Sequence, residues 1–333
     1  MKKYLLPKEG IFYKANLHTH STESDGQLSP GELKAEYKAK GYSVLAYTDH
    51  DILIPHPELA DEEFLPLNGY EMEIMEPGEG DLCHRKTCHM CLIALEPDNV
   101  KQVCWHRTDY LWGNAEERRD KVQFYEEEPD YVREYTPECV SDMMKRGREH
   151  GFFVTYNHPT WSGESYEQYM NYENMHAMEI CNYGCVMLGF HEYNPRVYED
   201  MLRGGKQIYC IGADDCHSLR DVGGAWVMIK AEKLAYRTIT KALEDGHFYA
   251  STGPEIRELW AEDGVLHVET SDAACIRFAF GDRRASYVRA EEGKSVNRAS
   301  VVLYPLAGYV RVIVEDRQGG IANSNAYFLE SIL

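Results

Sequence analysis

The chain has 333 residues, enough for one α/β barrel or two ordinary domains with a substantial core. Its 35 Lys and Arg stand against 55 Asp and Glu, a formal charge of −20, which argues against a general affinity for DNA or RNA because phosphate contacts need cationic surface. The apolar run after Lys2 and Lys3 is too short for a signal peptide and no stretch approaches the roughly 18 apolar residues of a membrane helix, while 10 scattered Cys make no disulfide framework; a cytoplasmic protein with reduced thiols and no membrane partner is the expectation.

Taken in chain order, short β-like runs alternate with helical stretches. A strand over Ile11 to Leu17 is followed by a helix from about Pro30 to Lys40, opened by Ser29 as N-cap with Pro30 in the first turn, and closed by Gly41. Strands follow at Ser43 to Thr48, Phe64 to Asn68 and His89 to Leu95, and then at Phe152 to Tyr156, Ala177 to Cys181 and Gln207 to Gly212. Helices are expected at about Pro137 to His150, Asn194 to Arg203 and Glu232 to Asp245, and the alternation reads as parallel α/β. The segment from about Val100 to Glu134 has no clean period and carries Trp105, Tyr110 and Trp112 beside the acidic run Glu126-Glu127-Glu128, so it reads as an insertion. From about Glu255 onward the pattern becomes strand-like, at Val265 to Glu269, Ile276 to Phe280, Ser300 to Leu303 and Tyr309 to Glu315, with turns at Asp263-Gly264, Gly281-Asp282 and Gln318-Gly319-Gly320. The expected division is 1–254 and 255–333, the second a small antiparallel β domain.

Histidines and carboxylates recur after these apolar runs. His18 and His20 are two apart at a strand end, so their side chains point the same way. Asp25, His50, Glu71, His89, His158, Asp215 and His217 take similar places near the strands, His89 at the start of its own. In a βα-barrel the loops after separate strands converge on one face. Imidazole and carboxylate together favour zinc, manganese or iron, and the whole pattern points to a multinuclear metal site.

In type and order these residues resemble the polymerase-and-histidinol-phosphatase (PHP) superfamily of metal-dependent phosphoesterases, over His18 to about Pro254. The resemblance implies a distorted (β/α)7 barrel, TIM-like but with seven strands, and two or three divalent metal ions. The first position would use His18, His20, Glu71 and Asp215; the second Asp25, His50 and His217; the third Glu71 as a bridge with His89 and His158. Glu71, Asp215 and His217 are the expected catalytic residues, around a metal-bridging hydroxide that attacks a small phosphomonoester. The stretch Ala242 to Pro254 and the tail Asp316 to Asn325 also resemble PHP hydrolases related to carbaryl hydrolase, which brings in carbamate, amide or carboxylic ester hydrolysis on the same metals as the alternative. A non-catalytic, metal-stabilised binding module is the second alternative.

Contacts to the rest of the substrate are expected from Asn182, at a strand end, and from Arg220, with Arg85 or Lys86 as further cations near the rim. Trp105, Tyr110 and Trp112 are expected to stack on a ring, or else to pack the insertion. The spacing Cys83-His84-x-x-x-Cys88-His89-x-Cys91 resembles a zinc knuckle but lacks a second paired element. The expected partner is a small phosphorylated substrate rather than long nucleic acid.

Overall fold

The computed structural model describes residues 2–333. Strands β1 (Lys3–Tyr4) and β2 (Ile11–Asn16) lead into helix α1 (Pro30–Ala39), then β3 (Val44–Tyr47), β4 (Leu65–Met75) and β5 (Thr87–Ala94). Two short strands, β6 (Lys101–Gln102) and β7 (Gln123–Phe124), pair within the expected insertion. Next come α2 (Pro137–Glu149), β8 (Phe152–Tyr156), α3 (Tyr166–Tyr169), β9 (Ala177–Asn182), α4 (Tyr183–Met187), α5 (Pro195–Arg203) and β10 (Tyr209–Ala213). The chain continues through β11 (Trp226–Ala231), α6 (Tyr236–Glu244) and β12 (Phe248–Ser251) into β13 (Ile256–Glu262), β14 (Val265–Ala273), β15 (Cys275–Phe280) and β16 (Ala285–Arg289). It ends with β17 (Val296–Val302), β18 (Tyr309–Glu315), β19 (Ile321–Ser324), β20 (Tyr327–Phe328) and α7 (Leu329–Ile332). The sequence pattern missed β11, β12, β13, β16 and β19, and also the two-residue strands β1, β6, β7 and β20. No helix among the described residues is long and apolar enough to cross a membrane.

The fold is mixed α/β. One large sheet runs β10-β9-β8-β5-β4-β3-β2-β11-β12-β19-β18-β15-β16, with β20 beside β18; a second is ordered β1-β13-β14-β17. The expected (β/α)7 barrel is not what is seen, because the ladder is neither all parallel nor closed. Pairs β2–β3, β3–β4, β8–β9 and β9–β10 are parallel, whereas β4–β5 and β5–β8 are antiparallel. The reason is local: only a single 3-10 turn, Leu82–His84, and no α-helix lies between β4 and β5, and a parallel pair needs a crossover of a dozen or more residues.

Beyond the ladder, the ends of β2 and β10 are stitched by backbone bonds, Asp215 N to His18 O at 3.0 Å and His20 N to Cys216 O at 3.0 Å. These bonds bring His18, His20 and Asp215 side by side. Strand β4 has a double use: Leu65 to Asn68 pair in parallel with β3, and Gly69 to Met75 pair antiparallel with β5. Glu71 therefore sits within the strand, just beyond the parallel stretch, with an isolated bridge to His50.

Helix α1 begins as expected: Ser29 caps it in a reciprocal box with Glu32. The insertion packs its own buried cluster of Ile52, Trp105, Leu111, Ala115 and Val122, so it is anchored on the loop that follows His50. Arg133 ties down its far end. This buried guanidinium meets Asp51 Oδ1 at 2.7 Å, donates to the Glu73 carbonyl at 2.5 Å and lies 4.3 Å from the Tyr110 ring centroid.

Candidate metal centre

All of the sequence-expected ligands converge, although they come from strands and loops up to 199 residues apart in the chain, His18 to His217. His18 Nε2 lies 3.0 Å from His20 Nε2, 3.1 Å from Glu71 Oε1 and 3.3 Å from Asp215 Oδ1. His20 Nε2 lies 3.0 Å from Asp215 Oδ1 and 3.4 Å from Glu71 Oε2. Donors held about 2.1 Å from one ion stand about 3.0 Å apart at octahedral angles and about 3.4 Å at tetrahedral ones. The measured separations fit that range.

Around this group, His217 Nε2 is 3.2 Å from Asp25 Oδ2, and His50 Nε2 is 3.9 Å from the same oxygen. His50 Nδ1 and His89 Nδ1 each lie 3.3 Å from Glu71 Oε2. His158 Nε2 faces Glu71 Oε1 at 3.4 Å and Asp215 Oδ2 at 3.9 Å. The grouping differs in detail from the expected one. His20 joins Asp25, His50 and His217, and His50 stands with Glu71 and His89, where His158 also faces Glu71; Cys91 is a further candidate donor beside His18 and Glu71. Among the described residues, Cys83, His84 and Cys88 belong to no such group, so the knuckle-like spacing builds no second centre.

Does this pocket floor suit metal ions? His20 Nδ1, His50 Nδ1, both ring nitrogens of His89, Glu71 Oε2 and Asp215 Oδ1 are buried without any hydrogen-bond partner. Leaving so many polar atoms unmatched at one spot costs about 1–3 kcal/mol each, and cations supply the missing partners. The electrostatics agree. Burial pushes the Glu71 carboxyl up, but His18, His89 and His158 around it hold it well below the usual carboxylate range. Asp215 is likewise held down, by His18 and His20 against burial. Burial works against charge on His20, yet Asp215 and Glu71 push it up to about 10, whereas burial and the neighbouring His20 bring His50 down to about 3. Fixed anions and crowded imidazoles compete for protons here, and divalent ions relieve that competition.

A layer of supporting groups went unnoticed in the sequence. Glu179, fully buried in β9, accepts from His18 Nδ1 at 2.7 Å and from the His158 backbone N at 3.0 Å. It thus leaves His18 Nε2 free to ligate. Asn157 Nδ2 donates to Glu71 Oε1 at 2.7 Å. Asp214 accepts from the backbone N of Gly223, Gly224 and Ala225 at 2.7, 2.8 and 3.0 Å, which fixes the turn that carries Asp215. Asp215 and His158 adopt left-handed backbone, φ +49° and +24°, a conformation kept only where surroundings enforce it. Gly184 belongs to that enforcement: a Cβ there would stand 2.6 Å from the Asp215 carbonyl oxygen.

Above the floor lies a pocket of about 870 Å³. Trp112, Trp161, Leu188, Phe190, Arg85 and Arg220 are among its lining residues. Arg220 is exposed at the mouth, its Nε 3.3 Å from Asp221 Oδ1. Asn182 does not reach the cavity: it is buried under Asp215, donating to Asp215 Oδ2 at 3.1 Å and to Glu179 Oε2 at 2.9 Å. Trp105 is buried in the insertion and stacked on Phe124 at 5.7 Å, and the run Glu126 to Glu128 is likewise absent from the lining. Trp161 takes the place that the sequence gave to Trp105. Its only signal was a Trp three residues after His158.

No family model matches the chain. A 52-residue stretch is 50% identical to a 5'-3' exoribonuclease of Haemophilus influenzae, a match that covers 15% of this chain and 19% of that protein's length. Among solved structures, an amidohydrolase from Chromobacterium violaceum has a TM-score of 0.39 and 18% identity, covering 70% of this chain and 96% of that one. A Bacteroides vulgatus protein has a TM-score of 0.46 and 15% identity, covering 98% of each chain. At this degree of similarity, function has to be read from the residues of the site. The Bacteroides structure is described as a two-domain protein containing a predicted PHP-like metal-dependent phosphoesterase.

Proposed function

We propose that the chain is a metal-dependent hydrolase that cleaves a small phosphomonoester, with Glu71, Asp215 and His217 closest to the reaction. The observation that carries this is the set of partnerless buried atoms of His20, His50, Glu71, His89 and Asp215 at the floor of an 870 Å³ pocket. Two or three divalent ions held there would activate water near neutral pH and polarise the ester oxygens, so that no protein nucleophile is needed. The chain's own part is to present the ligands already oriented. Glu179 fixes the tautomer of His18, Asn157 aims Glu71, and the β2–β10 stitch sets His18, His20 and Asp215 at ligating distance. Arg220, exposed in the pocket lining, would meet phosphate oxygens as they enter.

The short match to an exoribonuclease brings a nucleotide ester within the same reaction class. A long strand is a poor fit to a chain of net charge −20 whose pocket is lined by only two cations, Arg85 and Arg220. The test is an assay of purified protein, with Zn, Mn and Fe added separately, against phosphomonoesters, phosphodiesters, carbamates and carboxylic esters. Metal-dependent turnover of a phosphomonoester in preference to the others is expected. Turnover of a carbamate or carboxylic ester alone would replace the phosphoesterase reading, and stoichiometric metal with no turnover of any class would favour a binding module.

A further inference from the structure

We infer that the pocket is built for a phosphoester whose leaving group is a flat, uncharged ring, and that Trp112 and Trp161 are the residues that select it. This rests on the hydrolase reading above. The two indoles flank the metal-ligand cluster. Trp112 lies over His50 with ring centroids 5.2 Å apart, and Trp161 stands edge-on to His89 and His158 at 5.3 and 5.0 Å.

Neither indole is part of the hydrophobic core, since Trp112 and Trp161 are 43% and 37% exposed. Leu82, Leu188 and Phe190, exposed by 58%, 58% and 41%, line the same pocket. Large apolar side chains gathered at one mouth mark a surface that is covered in use. The occupant is set by what accompanies them. Arg85 and Arg220 are the only cationic side chains in the lining, so a polyphosphate or nucleic-acid strand finds no basic track. A sugar needs an array of free donors and acceptors, and the two lining hydroxyls are not free donors: Ser218 donates to Asp221 at 2.9 Å and Thr87 to the Ile74 carbonyl at 3.1 Å, which leaves the Gln27 amide and the two guanidinium groups for that purpose.

Trp161 is held in place before anything binds. Its backbone N and that of Thr160 donate to the fully buried Glu192 carboxylate at 2.7 and 3.0 Å, and Asn194 Nδ2 braces the same carboxylate at 2.6 Å. Trp112 follows Leu111, which is buried in the cluster that anchors the insertion. Walls fixed in advance bind a rigid ring with little ordering cost.

An aryl leaving group also suits the chemistry. Water bonds to phosphorus as the bond from phosphorus to the aryl oxygen breaks, and the products are inorganic phosphate and a phenol. A phenoxide is the conjugate base of an acid of pKa about 10, as in tyrosine, so it departs without a strong proton donor.

The test uses the metal-replete full-length protein and its Trp112→Leu, Trp161→Leu, Trp161→Phe and double Leu variants, each checked for metal content. Activity is read as the ratio of kcat/KM for 1-naphthyl phosphate to that for glycerol 2-phosphate, and binding by calorimetry with 1-naphthylphosphonate against methylphosphonate. Ring stacking of this kind is worth about tenfold per wall. Wild type should favour the naphthyl compounds by about 100-fold in both measurements, each Leu substitution should remove about tenfold, and Trp161→Phe should keep most of the preference. Equal affinity for the two phosphonates in wild type, or a preference that survives the double Leu variant, overturns the proposal. Cleavage of 1-naphthyl acetate with none of the phosphate overturns the phosphoester part. Tryptophan-dependent binding of naphthylphosphonate with no hydrolysis of any ester refutes the enzyme reading and leaves the ring-recognition part standing.

Discussion

Replacing Glu179 by Gln strips one charge and one acceptor from beneath the metal-ligand cluster while keeping the shape of the side chain. In the wild-type protein the two oxygens accept from His18 Nδ1 at 2.7 Å, His158 N at 3.0 Å and Asn182 Nδ2 at 2.9 Å. A Gln amide has only one acceptor, so whichever way it turns its NH2 group faces a donor. If the amide oxygen stays on His18, the contacts to His158 N and Asn182 become donor against donor. If it turns, His18 loses its acceptor and is driven towards the tautomer that places its proton on Nε2, the atom facing Glu71 and Asp215. Hydrogen bonds to a charged partner are worth about 1.5–3 kcal/mol each, and allowing for relaxation the net loss is about 2 kcal/mol, or about 30-fold. Metal affinity measured by chelator competition should weaken by that factor, with a parallel fall in kcat/KM at subsaturating metal. Loss within the 10- to 100-fold range typical of outer-shell partners supports the role; unchanged metal affinity and turnover in Glu179→Gln refutes it.

The protein should retain at least two transition-metal ions per chain through gel filtration, by elemental analysis, and His18→Ala and Asp215→Ala should each lower retention and reduce turnover below about 1% of wild type. Arg133→Met leaves Asp51 buried without its 2.7 Å partner, so stability by denaturant titration should fall by about 3 kcal/mol, and adding Asp51→Asn should restore part of it. His176 is brought down to about 4, chiefly by burial and then by Arg148. Its folded pKa thus lies below the unfolded value of about 6.5, so this contribution is fully present above pH 6.5 and is lost as pH falls towards 4. His176→Asn keeps an acceptor for Val154 N, which the ring Nδ1 receives at 3.0 Å, and should flatten the acid limb of stability by on the order of 2 kcal/mol relative to wild type between pH 7 and 4.5. Parallel pH profiles for the two proteins would show that His176 titrates normally.

The convergence of these side chains was legible because imidazoles and carboxylates stand out when they follow short apolar runs. His18, His50, His158 and Asp215 all interrupt or end such runs, and chain order fixed the rest of the pattern. Glu179 was hidden for the opposite reason: inside the buried strand Ala177–Asn182 a lone Glu reads as a break in periodicity, and its purpose depends on His18, 161 residues earlier. The antiparallel course of β4 and β5 was missed, since the alternation read as parallel throughout, and the register that puts Glu71 opposite Cys91 needed coordinates. Asn182 sits at its strand end as expected, yet its amide is drawn down by Glu179 and Asp215 rather than up into the cavity. Strand ends reveal which residues share a face, while depth below that face is set by packing.

The bonds that join His18 and His20 to Asp215 and Cys216 impose an order on biosynthesis. A chain emerging from the ribosome exposes His18, His20, Asp25, His50, Glu71 and His89 long before Asp215 and His217 are made. During that interval the early histidines are an open cluster able to capture whichever transition metal is abundant, and in whatever geometry the unfinished chain allows. Closure across nearly 200 residues is also slow, since distant contacts must offset the entropy of the intervening chain. If metal ions fill this cluster, the full ligand set exists only once Asp215 docks beside His18, so the mature site would be completed late, after the partial sites formed by the early histidines.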